Sequence, residues 1–153
     1  MSENLTFRRA ESSDVAVIVA MLADDILGAA RNPPFDEHRE SYLKAFAAIS
    51  TDPNNELWVI EDKAEIVGSF QLTFIPGLSR KGATRCEIEA VRIASPRRGQ
   101  GLGSILIHWA IERARSKGCA MVQLTSDTKR TDAHRFYKRL GFAKSHAGFK
   151  LSL

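Results

Sequence analysis

The sequence predicts an α/β fold in which helices cover both faces of a mixed β-sheet. Two observations favour this class. The 153 residues are 44% hydrophobic and 26% charged, which fits one globular domain with its own core. Segments with helical spacing of apolar residues alternate with strand-like segments, without an internal repeat or a linker. We therefore expect residues 1–153 to form a single domain.

The amino-terminal half is predicted to hold a strand, two helices and a hairpin. Ser12-Ser13-Asp14 are good N-cap residues in front of apolar positions with helical spacing, so the first helix should begin there and end near Gly28. The expected elements are, in order, a strand at 5–9, this helix, a helix at 36–50, and hairpin strands at 57–60 and 66–74.

The carboxy-terminal half continues the alternation. A helix from about Gly101 to Lys117 should be closed by Gly118, which can adopt the left-handed conformation that ends many helices. The expected elements are a long strand at 84–94, this helix, a strand at 121–125, a short helix at 132–140 and two terminal strands within 142–153. The predicted order is β-α-α-β-β-β-α-β-α-β-β.

Several classes of protein are disfavoured by composition. No apolar run approaches the roughly 18 residues of a membrane span, and no leader-like segment precedes the first strand, so we expect a cytoplasmic protein. Cys86 and Cys119 lie far apart, and the four histidines lack ligand spacing. We therefore expect reduced thiols and no metal site.

Charge is distributed unevenly along the chain. Residues 1–91 carry nine basic and fifteen acidic side chains, whereas residues 92–153 carry thirteen basic and three acidic ones. Such asymmetry is typical of a protein that binds a polyanion with one half. Nucleic acid and a phosphorylated cofactor are both candidates at this point.

A glycine-rich turn lies between the long strand and the helix that follows it. Gly99, Gly101 and Gly103 let backbone N–H groups converge, the helix adds its own unpaired N–H groups, and Arg97 and Arg98 add charge. A Walker loop would need Gly-Lys-Ser/Thr and a dinucleotide fingerprint would need GxGxxG, and neither pattern is present. A diphosphate fits this turn, although an isolated glycine cluster can also serve only to connect a strand to a helix.

The pattern Arg98-x-x-Gly101-x-Gly103 resembles the signature of the GCN5-related N-acetyltransferases (GNAT). A second segment, residues 132–142, resembles the Ala-x-x-Phe-Tyr-x-x-x-Gly-Phe stretch of that family. Within the family, the chain looks most like aminoalkylphosphonate acetyltransferases and small bacterial members. The resemblance implies the GNAT fold, a mixed sheet of six to seven strands flanked by about four helices, and acetyl transfer from acetyl-CoA to an amine in a ternary complex.

The resemblance also implies a set of site residues. Glu89 and Tyr137 are the expected catalytic residues. The expected cofactor-binding residues are Val91, Ile93, Arg98, Gly99, Gln100, Gly101, Gly103, Ser104 and Arg130. Arg130 stands where many relatives have an asparagine that contacts the cofactor, so a basic residue would meet a phosphate there instead.

The chemistry of acetyl transfer explains why Glu89 and Tyr137 are expected to be catalytic. An amine with an ordinary pKa of about 10.4 is mostly protonated at pH 7, so a base or a water path is needed. Two-residue spacing along the strand predicts that Glu89 shares a face with Glu87, Val91 and Ile93. Tyr137 would hydrogen-bond the departing thiolate. The alternatives are an ion-paired surface carboxylate at Glu89 and a packed core aromatic at Tyr137.

The acceptor is not defined by the sequence. The resemblance places it among the loops 28–35 and 77–82, where Arg31, Arg80 and Lys81 would suit an acidic group, whereas Asp24-Asp25 would suit a cationic amine. We expect a small-molecule amine as partner, with no nucleic acid and no membrane, and a homodimer is one option. The competing hypotheses are a non-catalytic acyl-CoA sensor and a basic nucleic-acid-binding module.

Overall fold

The computed structural model describes residues 4–153, which divide into two compact parts at Gln123. The larger part contains five strands, β1 (Leu5–Arg9), β2 (Asn55–Asp62), β3 (Glu65–Ile75), β4 (Arg85–Ile93) and β5 (Met121–Gln123). The helices are α1 (Val15–Leu22), α2 (Ile26–Arg31), α3 (Arg39–Thr51), α4 (Ser79–Gly82), α5 (Leu102–Ser116) and, in the smaller part, α6 (Thr131–Arg139).

The strands form one mixed sheet in the order β1-β2-β3-β4-β5. The first four are antiparallel neighbours, and β5 runs parallel to β4 through only three residue pairs. Such a parallel pair requires a crossover, and α5 is the crossover helix. The predicted α/β class with a mixed sheet is confirmed.

Helices cover both faces of this sheet. On one face Trp109 of α5 packs against the rings of Phe7, Trp58 and Phe70, at centroid distances of 4.7, 4.5 and 5.8 Å. On the other face Ile18 and Met21 of α1 pack against Val59. The alternation of strand side chains separates these two cores.

The element count differs from the prediction. The sheet has five strands within residues 4–153 rather than six to seven, because residues 142–153 form no strand, and the α-helices number six rather than about four. The first predicted helix is two helices. Asp25 adopts extended backbone and its side chain accepts a hydrogen bond from Gly28 N, so it starts α2 as an N-cap and Gly28 lies inside that helix.

The structure also bears on membrane spans, metal sites and disulfides. No helix in the described residues is long and apolar enough to cross a membrane. Within the same residues no group of three or more histidine, cysteine or acidic side chains is arranged to hold a metal ion. Cys86 is buried and Cys119 partly so, and neither forms a disulfide.

Candidate active site

The start of α5 presents several unpaired backbone N–H groups. Gly101 is the N-cap with φ of 83°, and no side chain caps it. A backbone bond runs from Ile105 N to Gly101 O at 3.2 Å, so the N–H groups of Leu102, Gly103 and Ser104 precede the first intrahelical bond. The positive end of the helix dipole adds to these donors, which makes the turn an anion-binding site.

The glycines keep this surface open. Gly99 and Gly101 have φ of 73° and 83°, a region that residues with a Cβ rarely adopt. A Cβ built at either position would meet nothing within 4 Å, so the space in front of the turn is empty of protein atoms. A phosphate group can therefore approach the backbone directly.

Arg97 and Arg98 both have carboxylate partners. Arg97 Nη1 lies 2.8 Å from Asp62 Oδ2, and its Nε donates to Gln100 Oε1. Arg98 Nη2 lies 3.3 Å from Asp24 Oδ2. Much of the charge expected at the turn is thus compensated within the chain, so the backbone amides provide the principal anion-binding groups.

These carboxylates were not predicted in this role. The sequence suggests Asp24 only as a partner for a cationic acceptor, and Asp62 lies between the two predicted hairpin strands. Asp24 and Arg98 are 74 residues apart in sequence, and no spacing rule connects them. Arg98 also donates from Nε to Ile93 O at 3.2 Å, which attaches the turn to the end of β4.

A β-bulge interrupts β4 at Ala90. Gln71 pairs with Glu89 and Ser69 pairs with Arg92, so three steps along β4 match two steps along β3. Ala90 is the extra residue, and its φ of 54° is left-handed. The bulge breaks the regular alternation of the strand.

The bulge corrects one sequence-based argument. Cross-strand partners direct their side chains to the same face, so Glu89 and Arg92 share a face. Val91 and Ile93 therefore lie on the opposite face, not on the face of Glu89 as a regular strand predicted. The sequence contains no glycine or proline at Ala90 that would have indicated the irregularity.

The two glutamates of β4 have different environments. Glu87 is 8% exposed, and its Oε2 accepts a hydrogen bond from Gln123 Nε2. Glu89 is exposed, and within residues 4–153 its carboxylate has no hydrogen bond or ion pair. Glu89 is thus the carboxylate that a substrate can reach.

The carboxyl-terminal end of β4 is open along one edge. Its pairing with β5 covers only residues 85–87, so in the described structure Ile88, Glu89, Arg92 and Ile93 have strand partners in β3 alone. Backbone groups on the open side are available to an extended ligand. Glu89 is the middle residue of β4, and the glycine-rich turn follows the end of the strand.

The turn at 77–82 lies at the other end of β4. It leads into Arg85, four residues before Glu89, which corresponds to about 13 Å along a strand. Arg80 and Lys81 have φ of 54° and 61°, and Arg80 lines a pocket there together with Arg85 and Met121. The turn that carries these two cations thus precedes β4, and Glu89 lies in the middle of that strand.

The smaller part of the chain holds the second predicted motif. Tyr137 of α6 contacts the rings of Phe136 and Phe142, at centroid distances of 5.1 and 5.8 Å. Arg130 is the N-cap residue of the same helix. His134 Nε2 is 2.8 Å from Asp127 O, which gives this histidine a structural partner.

The mixed sheet and the anion-binding turn after its fourth strand are the features that the resemblance to the GNAT family implies. Residues 20–142 match the model of the acetyltransferase (GNAT) family. An aminoalkylphosphonate N-acetyltransferase of Salmonella typhimurium is 36% identical over 114 residues, which are 74% of this chain and 73% of that protein.

Solved structures agree with that match. A transcriptional regulator from Bacillus halodurans C-125 is 48% identical, with a TM-score of 0.93 over 98% of this chain and 100% of that one. A putative acetyltransferase from Agrobacterium tumefaciens is 25% identical, with a TM-score of 0.84 over 97% and 99%. The chain belongs to the GNAT acetyltransferase family and is an acetyl-CoA-dependent acyltransferase.

Proposed function

We propose that this enzyme transfers the acetyl group of acetyl-CoA to a primary amine of a small molecule, by direct attack in a ternary complex. The observation that carries the proposal is the set of unpaired N–H groups at the start of α5, beside the open end of β4. The N–H groups supply a site for the diphosphate, and the open end of β4 leaves room for the thioester.

The cofactor-binding residues follow from this placement. The diphosphate would be bound by backbone donors of residues 99–104, which include Gly99, Gln100, Gly101, Gly103 and Ser104. Val91 and Ile93 would offer backbone groups of the open strand to the pantetheine arm. Arg98 would hold the turn in place through Ile93 and Asp24, and Arg130 would meet a phosphate.

The reaction needs two proton-handling groups. The amine nitrogen attacks the thioester carbon, the C–N bond forms, and the C–S bond breaks. Glu89 would accept the amine proton, directly or through water, and freeing an ordinary ammonium group at pH 7 costs about 4.6 kcal/mol. Tyr137 would donate a hydrogen bond to the thiolate as negative charge develops on sulfur.

The acceptor that we propose is an amine bearing an anionic group such as a phosphonate. The support is the 36% identical relative, whose name specifies aminoalkylphosphonates. The pairing of Asp24 with Arg98 is consistent with this choice, because it reduces the charge available to a cationic amine. Cytoplasmic location and the absence of nucleic-acid and membrane partners stay predictions.

An amine panel tests the proposal. Release of coenzyme A thiol from acetyl-CoA would be followed with aminoethylphosphonate, β-alanine, ethylamine and spermidine, and mass spectrometry would identify the acetylated product. We expect aminoethylphosphonate to give the highest kcat/KM. Burial raises the pKa of Cys86 to about 12 and also raises the pKa of Cys119, so the protein's own thiols should contribute little background.

The outcomes separate the competing hypotheses. Binding of acetyl-CoA without turnover of any amine would support a non-catalytic sensor. Preference for spermidine would contradict an anionic acceptor while leaving acetyl transfer intact.

A nucleic-acid role is the second candidate, because the 48% identical structure is named as a transcriptional regulator and residues 92–153 are strongly basic. It predicts duplex DNA binding that weakens steeply with salt and is not displaced stoichiometrically by coenzyme A.

A further inference from the structure

Gln71 of β3 lies directly opposite Glu89 of β4. The two residues are cross-strand partners, so their side chains share one face of the sheet. Gln71 is partly buried and Glu89 is exposed, so a small molecule that reaches the Glu89 carboxylate also meets the Gln71 side chain. Neither the cofactor site nor the pair of proton-handling groups includes Gln71.

Hydrogen bonds fix the orientation of the Gln71 amide. Asn55 Nδ2 donates to Asp52 Oδ2 at 2.8 Å, and because an ionised carboxylate only accepts, this bond sets which end of the Asn55 amide is the oxygen. Asn55 Oδ1 then accepts from Gln71 Nε2 at 3.1 Å and from Thr73 Oγ1 at 2.7 Å. A flipped Gln71 amide would bring two carbonyl oxygens together, so the network requires its NH₂ group on the side of Asn55.

The same network leaves the Gln71 carbonyl oxygen available to a ligand. Within residues 4–153 Gln71 Oε1 accepts no hydrogen bond, and the Glu89 carboxylate accepts none either. Cβ atoms of directly opposed residues lie about 5 Å apart, so the two groups can converge on one ligand atom. Both are acceptors and one is negatively charged. The ligand group that they match is therefore a positively charged nitrogen with several N–H donors, which is an ammonium group.

The next row of cross-strand partners on this face suits an acidic group. Ser69 and Arg92 form that row, which lies roughly 7 Å along the strand from Gln71. The Ser69 hydroxyl is buried and has no hydrogen-bond partner in the described structure, and Arg92 brings a guanidinium group to the row. A short molecule with an amine at one end and an anionic group at the other matches the two rows.

We propose that Gln71 is a substrate-binding residue whose Oε1, together with the Glu89 carboxylate, holds the ammonium group of the acceptor, with the acceptor's anionic group toward Arg92. This assignment rests on the proposed acetyl transfer to an amine. Glu89 takes one proton from the ammonium group, and the electron pair of that N–H bond stays on nitrogen and attacks the thioester carbon. Gln71 keeps a hydrogen bond from a second N–H, which holds the attacking electron pair in one direction.

Three variants of β3 separate contact with the amine from support of the network. Gln71→Leu and Gln71→Glu both lose the N–H donor to Asn55, but only Gln71→Glu keeps an oxygen that can accept from the amine. Thr73→Val is the matched control, because it also removes one hydrogen bond to Asn55 Oδ1 but lies opposite Glu87.

Amine binding would be measured by calorimetry on the full-length protein saturated with coenzyme A, which has no acetyl group to transfer. Turnover would be measured by thiol release, and the probe is the panel amine with the highest kcat/KM. We expect Gln71→Leu to raise the Kd and KM of that amine about tenfold, as for one hydrogen bond to a charged group. Gln71→Glu and Thr73→Val should stay within about threefold of wild type, and all variants should keep their coenzyme A affinity.

Three results would overturn the assignment, and they differ in what else they overturn. Wild-type amine affinity in Gln71→Leu removes the assignment and leaves acetyl transfer intact. Equal losses in Gln71→Leu and Gln71→Glu also remove it, because they would show that the bond to Asn55 matters and not the contact with the amine. A wild-type protein that neither binds nor turns over any amine of the panel overturns the proposed function and this assignment with it.

Discussion

Gly101 is the residue on which cofactor binding should depend most directly. In Gly101→Asp a side chain enters the space in front of the turn, the φ of 83° becomes strained, and a negative charge faces the phosphate. We expect the affinity for coenzyme A to fall tenfold or more, which is about 1.4 kcal/mol. Calorimetry on the folded variant measures this affinity.

Gly118 provides a matched control at the other end of α5. It also has positive φ, 75°, and a Cβ there would also meet nothing within 4 Å. Gly118→Asp therefore has similar backbone strain without facing the anion site, and should leave coenzyme A affinity unchanged. Equal losses in both variants would mean that strain alone, and not phosphate binding, explains the effect.

Tyr137 is predicted to stabilise the departing thiolate. Tyr137→Phe keeps the ring contacts with Phe136 and Phe142 and removes the hydroxyl, so kcat should fall roughly tenfold to a hundredfold, about 1.4 to 2.7 kcal/mol, with little change in cofactor affinity. Steady-state kinetics checks this.

Tyr42, the only other tyrosine of the chain, is the control. Its hydroxyl donates to Pro33 O at 2.7 Å, so Tyr42→Phe also loses one phenol hydrogen bond. We expect turnover to be unaffected there. Wild-type kcat in Tyr137→Phe would leave this tyrosine with only a packing role.

Glu89 is predicted to accept the proton of the acceptor amine. If it accepts the amine proton, Glu89→Gln lowers kcat about a hundredfold at neutral pH, and the defect shrinks as pH rises. The reason is that the fraction of acceptor amine that is already unprotonated grows by up to about tenfold for each pH unit, until the amine's own pKa is passed. Measuring kcat and KM of wild type and variant across a pH series tests the loss of kcat and its dependence on pH.

Glu87→Gln is the matched control on the same strand. Glu87 is buried and bonded to Gln123, so its substitution should leave the pH dependence of kcat unchanged. A pH-independent defect in Glu89→Gln that is confined to KM would instead mean that Glu89 binds the acceptor as a cation.

At the residue scale the sequence predicted the glycine-rich turn but not the partners of its arginines. Gly99 and Gly101 could be recognised because local backbone chemistry demands glycine there. The ion pairs of Arg97 with Asp62 and of Arg98 with Asp24 join distant segments, and only tertiary structure defines such contacts.

At the scale of elements, Glu56 of β2 connects strands to α5. Its carboxylate is 3% exposed and lies 2.6 Å from Arg113, 3.3 Å from Arg9 and 3.6 Å from Lys117, and Trp58 Nε1 donates to it at 2.9 Å. Burial raises the pKa of Glu56, but the hydrogen bonds from Arg113 and Trp58 outweigh it, so the pKa is lowered overall.

Glu56→Gln should therefore destabilise the fold by about 2 to 3 kcal/mol at pH 7. A lowered pKa means that the unfolded state binds more protons as pH falls below the ordinary carboxyl value near 4.3. The contribution of Glu56 is full above that value and is lost as pH falls through the lowered pKa. The difference between wild type and variant should shrink accordingly in urea titrations at pH 7, 5, 4 and 3.

Glu112→Gln is the control for this network. Glu112 pairs with Arg115 on the exposed surface of α5, and such pairs contribute little to stability. We expect no measurable change at any pH. A Glu56→Gln variant as stable as Glu112→Gln would show that the buried network contributes no net stability.

Element boundaries were predicted well where capping residues are local, and poorly where tertiary contacts decide. Gly118 ends α5 as expected, with φ of 75°. The division of the first helix was missed although aspartate, the residue at position 25, is a favoured N-cap. The bulge at Ala90 was missed because alanine does not demand the irregular conformation. Residues 142–153 have strand periodicity but form no strand in the described part of the chain, and periodicity alone cannot supply a strand partner.

At the scale of the whole molecule, the expected single domain remains to be tested against the two compact parts. Residues 124–153 contain one helix of nine residues, and segments of about thirty residues rarely fold without support. We therefore predict that both parts unfold in one cooperative transition. Trp58 and Trp109 both lie before residue 124, so tryptophan fluorescence reports the larger part alone.

Hydrogen exchange of the α6 amides reports the smaller part independently. In a urea series, the free energy of opening measured at α6 should approach the global value from tryptophan fluorescence, with the same dependence on urea. Exchange at α6 that is insensitive to urea while the tryptophan signal is still native would mean that residues 124–153 open separately. If the two parts open separately, adding coenzyme A should shift both signals only when cofactor binding engages both the turn at Gly101 and α6. A shift of the tryptophan transition alone would remove Arg130 and Tyr137 from the site.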